Sequence, residues 1–375
     1  MSTELYGILV LTLVCIIISP YYKNSYPSSN KQVVVQETIV QKHFNPIIKT
    51  DNPKTIVLLS DSFLPKTFAG SELSGYETIK YLRSRGHKIV IFVKEIEWVV
   101  DEYDGFKIYK YNTNNKFCFT TIKDSDIVFF QMTDTANQVE IINQREGPVF
   151  FFIHLHNSYP SLLQHKMPFP THVVYNSQMT QDTLPTFHDN MRMVPYVDTD
   201  RFKPLRKYTI HNNVVCLINC NKNKGGDLLK ELAEKMPNVQ FLGIKGGYSV
   251  QVVEENAPKN LTYMETQKDI TVVFKKIGIL IMPSRNETWG RTAVEAMSAG
   301  VPVIHSEAQG LVECVGGAGI TCVNNDIDSW IDAINRITHD NAYRERLRQY
   351  GFKRISEIEY EQTRGRQELA RKIEA

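Results

Sequence analysis

The chain predicts an α/β fold made of two Rossmann-like, doubly wound domains in series. Three observations predict it. Short uninterrupted apolar runs such as "TIVLLS", "KIVIFV" and "IGILIM" read as strands buried on both faces. Helical patterns separate them, as βαβ units with a parallel sheet require. Around "VDTDRFKP" the alternation pauses and then resumes, which divides the 375 residues into two domains with substantial cores.

The elements follow in order. "LYGILVLTLVCIII", Leu5–Ile18, is apolar enough for a membrane segment. No basic residue precedes it, whereas Lys23, Lys31 and Lys42 follow, so residues 1–22 are expected to be an uncleaved anchor that keeps the remainder cytosolic. A signal-peptide core is the competing reading. Residues 23–52, rich in Ser, Asn, Pro, Lys and Gln, read as a tether. The first domain, 53–205, holds "KTIVLLS", a helix through "ELSGYETIKYLRSRG", then "KIVIFV", "DIVFFQM", "PVFFFIHLH" and "THVVYNS". The second, 206–340, holds "NVVCLINC", the helix "GGDLLKELAEKM", "VQFLGI", a helix around "ITVVFKK", "IGILIM", a helix bearing Glu295, and "VPVIHS". Residues 341–375 are helical and charged. Their apolar residues Leu347, Tyr350, Phe352, Ile355, Ile358, Leu369 and Ile373 make a stripe too sparse for a core of its own.

Bulk properties narrow the function classes. Lys and Arg number 43 against 41 Asp and Glu, and the net charge of +2 gives no electrostatic case for nucleic acid. Six scattered cysteines fit neither a disulfide framework nor a structural zinc site, and a reducing compartment suits them better. The sequons Asn260-Leu-Thr262 and Asn286-Glu-Thr288 would invite glycans on a translocated chain, which agrees with a cytosolic placement.

"PSRNETWGRTAVEAMSAGVPVI", Pro283–Ile304, carries the chemistry. Glu287, Arg291 and Glu295 are spaced four apart and could be an ion-pair ladder on one helix face. Yet Ala293, Val294, Ala296 and Met297 leave little polar surface there, and a buried helix rarely keeps an unpartnered carboxylate. Glu287 also falls outside the carboxyl end of the "IGILIM" strand and near a helix N-terminus, where open α/β sheets take ligands and where N–H groups favour a diphosphate. Spacing alone leaves both readings open.

These motifs resemble the retaining, nucleotide-sugar-dependent glycosyltransferases of family 4, also called group 1, over roughly Lys54 to the C-terminus. "FAGSELSGYETIKYLRSRGHKIVIF" is similar to that family's Gly-rich first loop, helix and second strand. "RMVPYVDTDRFKP" is similar to its interdomain segment and "NKNKGGDLL" to its Lys-Gly turn. Glu287 and Glu295 stand as its E-x7-E signature, followed by "GVPVI" and "GLVE". The resemblance implies the GT-B fold, with two domains facing a central cleft and a C-terminal helix crossing back to the first. It implies transfer of a sugar from a nucleoside diphosphate sugar to a glycan, lipid or small-molecule acceptor with retained configuration.

It also implies roles. Glu287 would contact the donor sugar, Glu295 the ribose diol, and Lys224 the diphosphate as it leaves. His156, or its competitor His154, would contact the donor sugar from the first domain. Gly70 and Ser71 would bring backbone close to the phosphates, and Thr288, Trp289, Gly290, Gly310, Leu311 and Glu313 lie in the motif's loops near the nucleotide. One position departs from the pattern: Asn219 stands where many members carry an Arg, so Arg285, Arg291 or Lys222 would have to supply that charge. No cofactor and no catalytic metal are expected, since the three Asp-x-Asp pairs (Asp124/Asp126, Asp198/Asp200, Asp326/Asp328) each have a local explanation. A nucleotide-sugar epimerase or hydrolase on the same fold, and a non-catalytic sugar-nucleotide binder, are the alternatives.

Overall fold

A computed structural model describes residues 48–94, 100–112, 114–131, 145–154, 163, 167, 169–184, 186, 188–209, 212–253 and 256–375. Leu5–Ile18, the tether up to residue 47, His156 and Asn157 lie outside them. Among the described residues no helix is long and apolar enough to cross a membrane.

The first lobe is an eight-stranded sheet. Its strands are β1 (Thr55–Ser60), β2 (Lys88–Val93), β3 (Val100–Tyr103), β4 (Phe106–Lys110), β5 (Ile127–Gln131), β6 (Val149–Ile153), β7 (Thr171–Tyr175) and β8 (Asp189–Arg192). They lie in the order β3-β4-β2-β1-β5-β6-β7-β8. All pairings are parallel except β3 with β4. Sequence reading missed that hairpin although its signal was there: Asp104 and Gly105 both have positive φ, at 51° and 71°, as an Asp-Gly two-residue turn requires. Successive β1 residues feed opposite cores, Ile56 and Leu58 one face and Val57 and Leu59 the other. That double burial is why these runs are apolar throughout.

The second lobe is a six-stranded, all-parallel sheet ordered β11-β10-β9-β12-β13-β14. Its members are β9 (Val215–Ile218), β10 (Phe241–Ile244), β11 (Leu261–Met264), β12 (Ile279–Met282), β13 (Val303–Ser306) and β14 (Ile320–Cys322). The chain winds outward from β9 in one direction and from β12 in the other, so the switch point lies between them. Cys118, Cys216, Cys220, Cys314 and Cys322 are free and buried. The Asn260 amide is also buried, donating to the carbonyls of Ala233, Met236 and Val239, so that sequon is structural in the folded protein.

The C-terminal segment is a single helix, Asn341–Glu374, rather than several. Leu347, Ile355, Ile358, Leu369 and Ile373 are buried as the stripe requires, while Tyr350 is 53% exposed and falls outside it. Polar groups do much of the docking. Arg348 donates to Gly300 O and Arg354 to Cys314 O in the second lobe. Gln362 donates to Pro195 O in the interdomain segment. Arg366 donates to Glu77 O, and Lys372 pairs with Asp189 in the first lobe. A Cβ at Gly365 would lie 2.9 Å from Met193 Cγ, so the helix approaches the first lobe at a residue with no side chain.

Glu374 closes the last turn. Both its carboxylate oxygens accept from Arg85 at 2.7 Å, and His87 Nε2 lies 3.1 Å away. Because His87 Nδ1 accepts from Lys54 N, the ring is the neutral tautomer that donates from Nε2. The Arg85 hydrogen bond holds Glu374 below the usual carboxylate range, and burial lowers His87 against the pull of Glu374. Both folded values are depressed, so both contributions are present at neutral pH. The His87 part is lost as pH falls below about 6.5, and the Glu374 part as it falls below about 4.3. Glu374→Gln should therefore lower the melting temperature at pH 7, and its deficit against the wild type should shrink only once pH falls below about 4.3, toward pH 3. A deficit unchanged between those pH values would remove the helix clasp as the cause.

Candidate functional site

Four carboxyl-terminal strand ends supply the site. The loop after β1 leads to the Gly70–Ser84 helix, β9 to the Lys222–Lys224 turn, β12 to the Pro283–Gly290 stretch and β13 to the Gln309–Val315 helix. Lys224 and Glu287 follow β9 and β12, so they flank the switch point from either side.

Close backbone approach makes this geometry. Gly225 sits at φ 86°, a conformation that suits glycine, and a Cβ there would overlap the Pro283 ring. Asn221 Oδ1 accepts from Lys224 N at 2.9 Å and sets the turn, and Arg285 N donates to Asn223 O at 2.8 Å. The Lys-Gly turn and the Pro283–Gly290 loop are thereby fastened together, and the Lys224 ammonium forms an ion pair with Glu287 Oε2. Burial alone would lower the lysine's pKa, but Glu287 outweighs it and the net shift is upward. Lys224 is therefore a cation at neutral pH inside a largely buried pair.

The ion-pair ladder forms only in part. The helix runs Arg291–Ser298, so Glu287 lies in the loop before it and turns to Lys224, while Arg291 Nε pairs with Glu295 Oε1 at 3.3 Å. Glu295 is only 8% exposed. Burial pushes its pKa upward, opposed by Arg291 and Arg201.

Helix capping differs along the chain. The helices Lys116–Asp124, Gln178–Thr183, Ile327–His339 and Asn341–Glu374 have N-caps made by Asn115, Ser177, Asp326 and Asp340. Those starting at Gly70, Gly226 and Arg291 have no side-chain cap. In the Gly226 helix the first N–H already donates to Asn221 O at 3.0 Å, and in the Arg291 helix Ala293 N donates to Gly290 O at 2.9 Å; an anion is the species that a helix start without a side-chain cap suits best.

The other expected residues divide into groups. Trp289 and Leu311 have buried side chains in the second lobe's core and hold the loop up from beneath. Gly310 carries no Cβ because one would overlap the Glu287 and Thr288 backbone. Gly290 has φ 105° at the helix entrance. Among the described residues a Cβ on Gly70 would meet no atom of another part of the chain within 4 Å, and Ser71 Oγ donates to Glu72. Arg285 pairs with Asp227 at 2.8 Å and is half exposed.

Asn219 is engaged by its neighbours in the second lobe. Its Oδ1 accepts from Asn221 Nδ2 and Gln251 Nε2 at 3.0 and 3.1 Å. Sequence reading missed Gln251, which no motif marks.

Thr288 and Glu313 of the second lobe make polar contacts with the first. Thr288 Oγ1 donates to His154 O at 2.6 Å and accepts from Asn176 Nδ2 at 3.0 Å. Glu313, expected near the nucleotide, instead accepts from the Gln178 and Met179 N–H groups at 2.8 and 3.0 Å, at the start of a first-lobe helix. The sequence cannot show this, because the partner lies 135 residues away. His154 itself follows β6 and is buried, its pKa lowered by burial to about 4, and its Nε2 has no partner among the described residues. It lines a pocket with Ser74, Asn176, Tyr196 and Arg366.

The Asp-x-Asp pairs are engaged locally. Asp126 accepts from Thr55 N, Asp200 pairs with Lys203 and Asp326 caps a helix. Among the described residues no group of three or more His, Cys, Asp or Glu is placed to hold a metal ion.

Residues 198–354 match the family Glycosyl transferases group 1. In sequence, the chain is 28% identical over 134 residues to a D-inositol 3-phosphate glycosyltransferase of Mycobacterium marinum, covering 32% of this chain and 28% of that protein. It is 25% identical over 130 residues to a sulfoquinovosyl transferase of Arabidopsis thaliana, covering 32% and 26%. The match thus spans under a third of the length of each. In structure, it is similar to Anabaena HepE in complex with UDP and glucose, with a TM-score of 0.66 and 17% identity, covering 86% of this chain and all of that one. It is likewise similar to sucrose-phosphate synthase of Thermosynechococcus elongatus, with a TM-score of 0.68 and 15% identity, covering 85% and 99%. The fold is GT-B.

Glycine substitutions separate packing from ligand approach. Gly310→Ala should cost about 1–3 kcal/mol of stability, because its Cβ meets backbone that cannot yield. Gly70→Ala, opening into free space at a helix start, should leave the unfolding midpoint within about 0.5 kcal/mol of the wild type. Chemical denaturation of both variants checks this; equal destabilisation would contradict the assigned contacts.

Proposed function

We propose that this GT-B chain, with its group 1 glycosyltransferase segment, moves a sugar from a nucleoside diphosphate sugar to a hydroxyl of a glycan, lipid or small-molecule acceptor with retention. The observation that carries the proposal is the buried Lys224–Glu287 pair across the β9/β12 switch point, where uncapped helix N-termini begin. A UDP-sugar is the first donor to test, because HepE is seen with UDP and glucose.

In this reading Lys224 and the helix-start N–H groups meet the diphosphate, and Glu287 leaves the ammonium to bind the donor sugar. Glu295, oriented by Arg291, accepts from the ribose diol. The donor sugar is met from the first lobe by His156 or by its competitor His154, whose imidazole is neutral. The acceptor oxygen forms its bond to the anomeric carbon on the face from which the diphosphate departs, as the old carbon–oxygen bond breaks. The acceptor proton passes to the leaving phosphate oxygen. Charge developing on that oxygen is stabilised by Lys224 and the helix termini, with no metal required.

We further propose that Leu5–Ile18 anchors the chain in a membrane with residues 54–375 on the cytosolic side. Protease treatment of sealed vesicles should digest that portion. A protected, glycan-bearing chain would reverse the orientation.

Donor binding is tested first. UDP-, GDP- or ADP-sugar at a hundredfold excess over its Kd should stabilise the protein by about 2.7 kcal/mol. Turnover of donor with no acceptor present would favour the epimerase or hydrolase reading. Glu295→Gln should weaken donor and free nucleotide alike, by about 1–3 kcal/mol, whereas Glu287→Gln should impair transfer more than nucleotide binding. Equal effects of both variants on both ligands would refute the division of roles.

A further inference from the structure

The segment after β10 is a compact loop fastened over the Lys-Gly turn. Asn219, at φ 70° in the left-handed region that Asn tolerates, aims its amide at this loop. Its Oδ1 accepts from Gln251 Nε2, and a Cβ on Gly246 would overlap the same amide. Gln251 binds the loop from within: Oε1 accepts from Gly246 N at 2.8 Å, and Nε2 also donates to Tyr248 O and Ser249 O at 2.8 and 3.1 Å. Ser249 takes φ 61°, and Val252 N donates to Cys220 O at 2.7 Å.

So much restraint has no core to serve. Tyr248 is 43% exposed and Val250 89% exposed at the crest of the loop. Fixing those residues in one conformation costs entropy that no burial offsets. The loop does, however, reach two parts of the candidate site. A Cβ on Gly247 would lie 3.9 Å from the Phe68 carbonyl oxygen, two residues before Gly70 in the first lobe. Tyr248, on the same loop, is among the groups whose field reaches Lys224, after burial and Glu287.

We propose that the 245–251 loop is a rigid cap over the phosphate site and that Tyr248 donates its hydroxyl to a diphosphate oxygen held at Lys224. A neutral donor thus stands in for the cation that Asn219 does not provide, and Asn219 instead holds the loop that carries it. Arg285, the nearest basic residue of the Pro283–Gly290 loop, is committed to Asp227. The inference rests on the nucleotide-sugar reading.

Calorimetric titration of the full chain with UDP, GDP and ADP, and with the three corresponding monophosphates, tests it. For whichever diphosphate the wild type binds, Tyr248→Phe should weaken binding about tenfold, as expected for one hydrogen bond to a charged group. The matching monophosphate should lose less than twofold. Gln251→Leu keeps the phenol but unties the loop, and should weaken the diphosphate while leaving the unfolding midpoint near that of the wild type. Unchanged diphosphate binding in Tyr248→Phe, or equal losses for diphosphate and monophosphate, would overturn the proposal while leaving the transferase reading intact. A wild type that binds none of the three diphosphates would overturn both.

Discussion

A lysine ammonium enclosed in a loop keeps its charge only if an anion lies against it, and that constraint on Lys224 organises the second lobe. Glu287 meets it from the far side of the switch point. To bring the two together, the turn after β9 must touch the loop after β12, hence Gly225 at positive φ against Pro283 and the Arg285–Asn223 backbone bond. Gly310 then presses against the same loop from the next strand end. The pair is thereby a charge that the fold holds in one place.

That site is completed by the other lobe, so the distance between lobes has to be set. Thr288 with His154 and Asn176, and Glu313 with Gln178 and Met179, are short polar contacts that tolerate little misplacement. The Asn341–Glu374 helix fixes the spacing, with Arg348 and Arg354 holding one lobe and Arg366, Lys372 and Glu374 the other. The helix adds buried Leu347, Ile355 and Ile358 in the second lobe and Leu369 and Ile373 in the first, so apolar and polar contacts hold it to both.

The position without its expected cation shows how a polar residue can change its task. Asn219 supplies an unusual backbone angle and an acceptor for Gln251, and so shapes a loop rather than a charge. Glu313 similarly caps a helix of the opposite lobe. Both stand at positions of the motif and act through the contacts they make.

Apolar runs and their spacing determined the two parallel sheets, because strands buried on both faces leave a periodicity that needs no knowledge of partners. The Glu287–Glu295 spacing and the Lys-Gly turn marked the site for the same reason: they are local. The β3–β4 hairpin was equally legible through Asp104-Gly105 and was overlooked. Only the tertiary structure decided that Glu287 turns to Lys224 while Glu295 turns to Arg291, since eight residues of spacing say nothing about what folds against each carboxylate. It also decided the Glu313 cap, the Gln251 lock and the burial of His154, all of which join residues distant in the chain or set by packing. Local pattern records which faces a segment must bury; which charges meet is fixed only once the sheets have placed their loops.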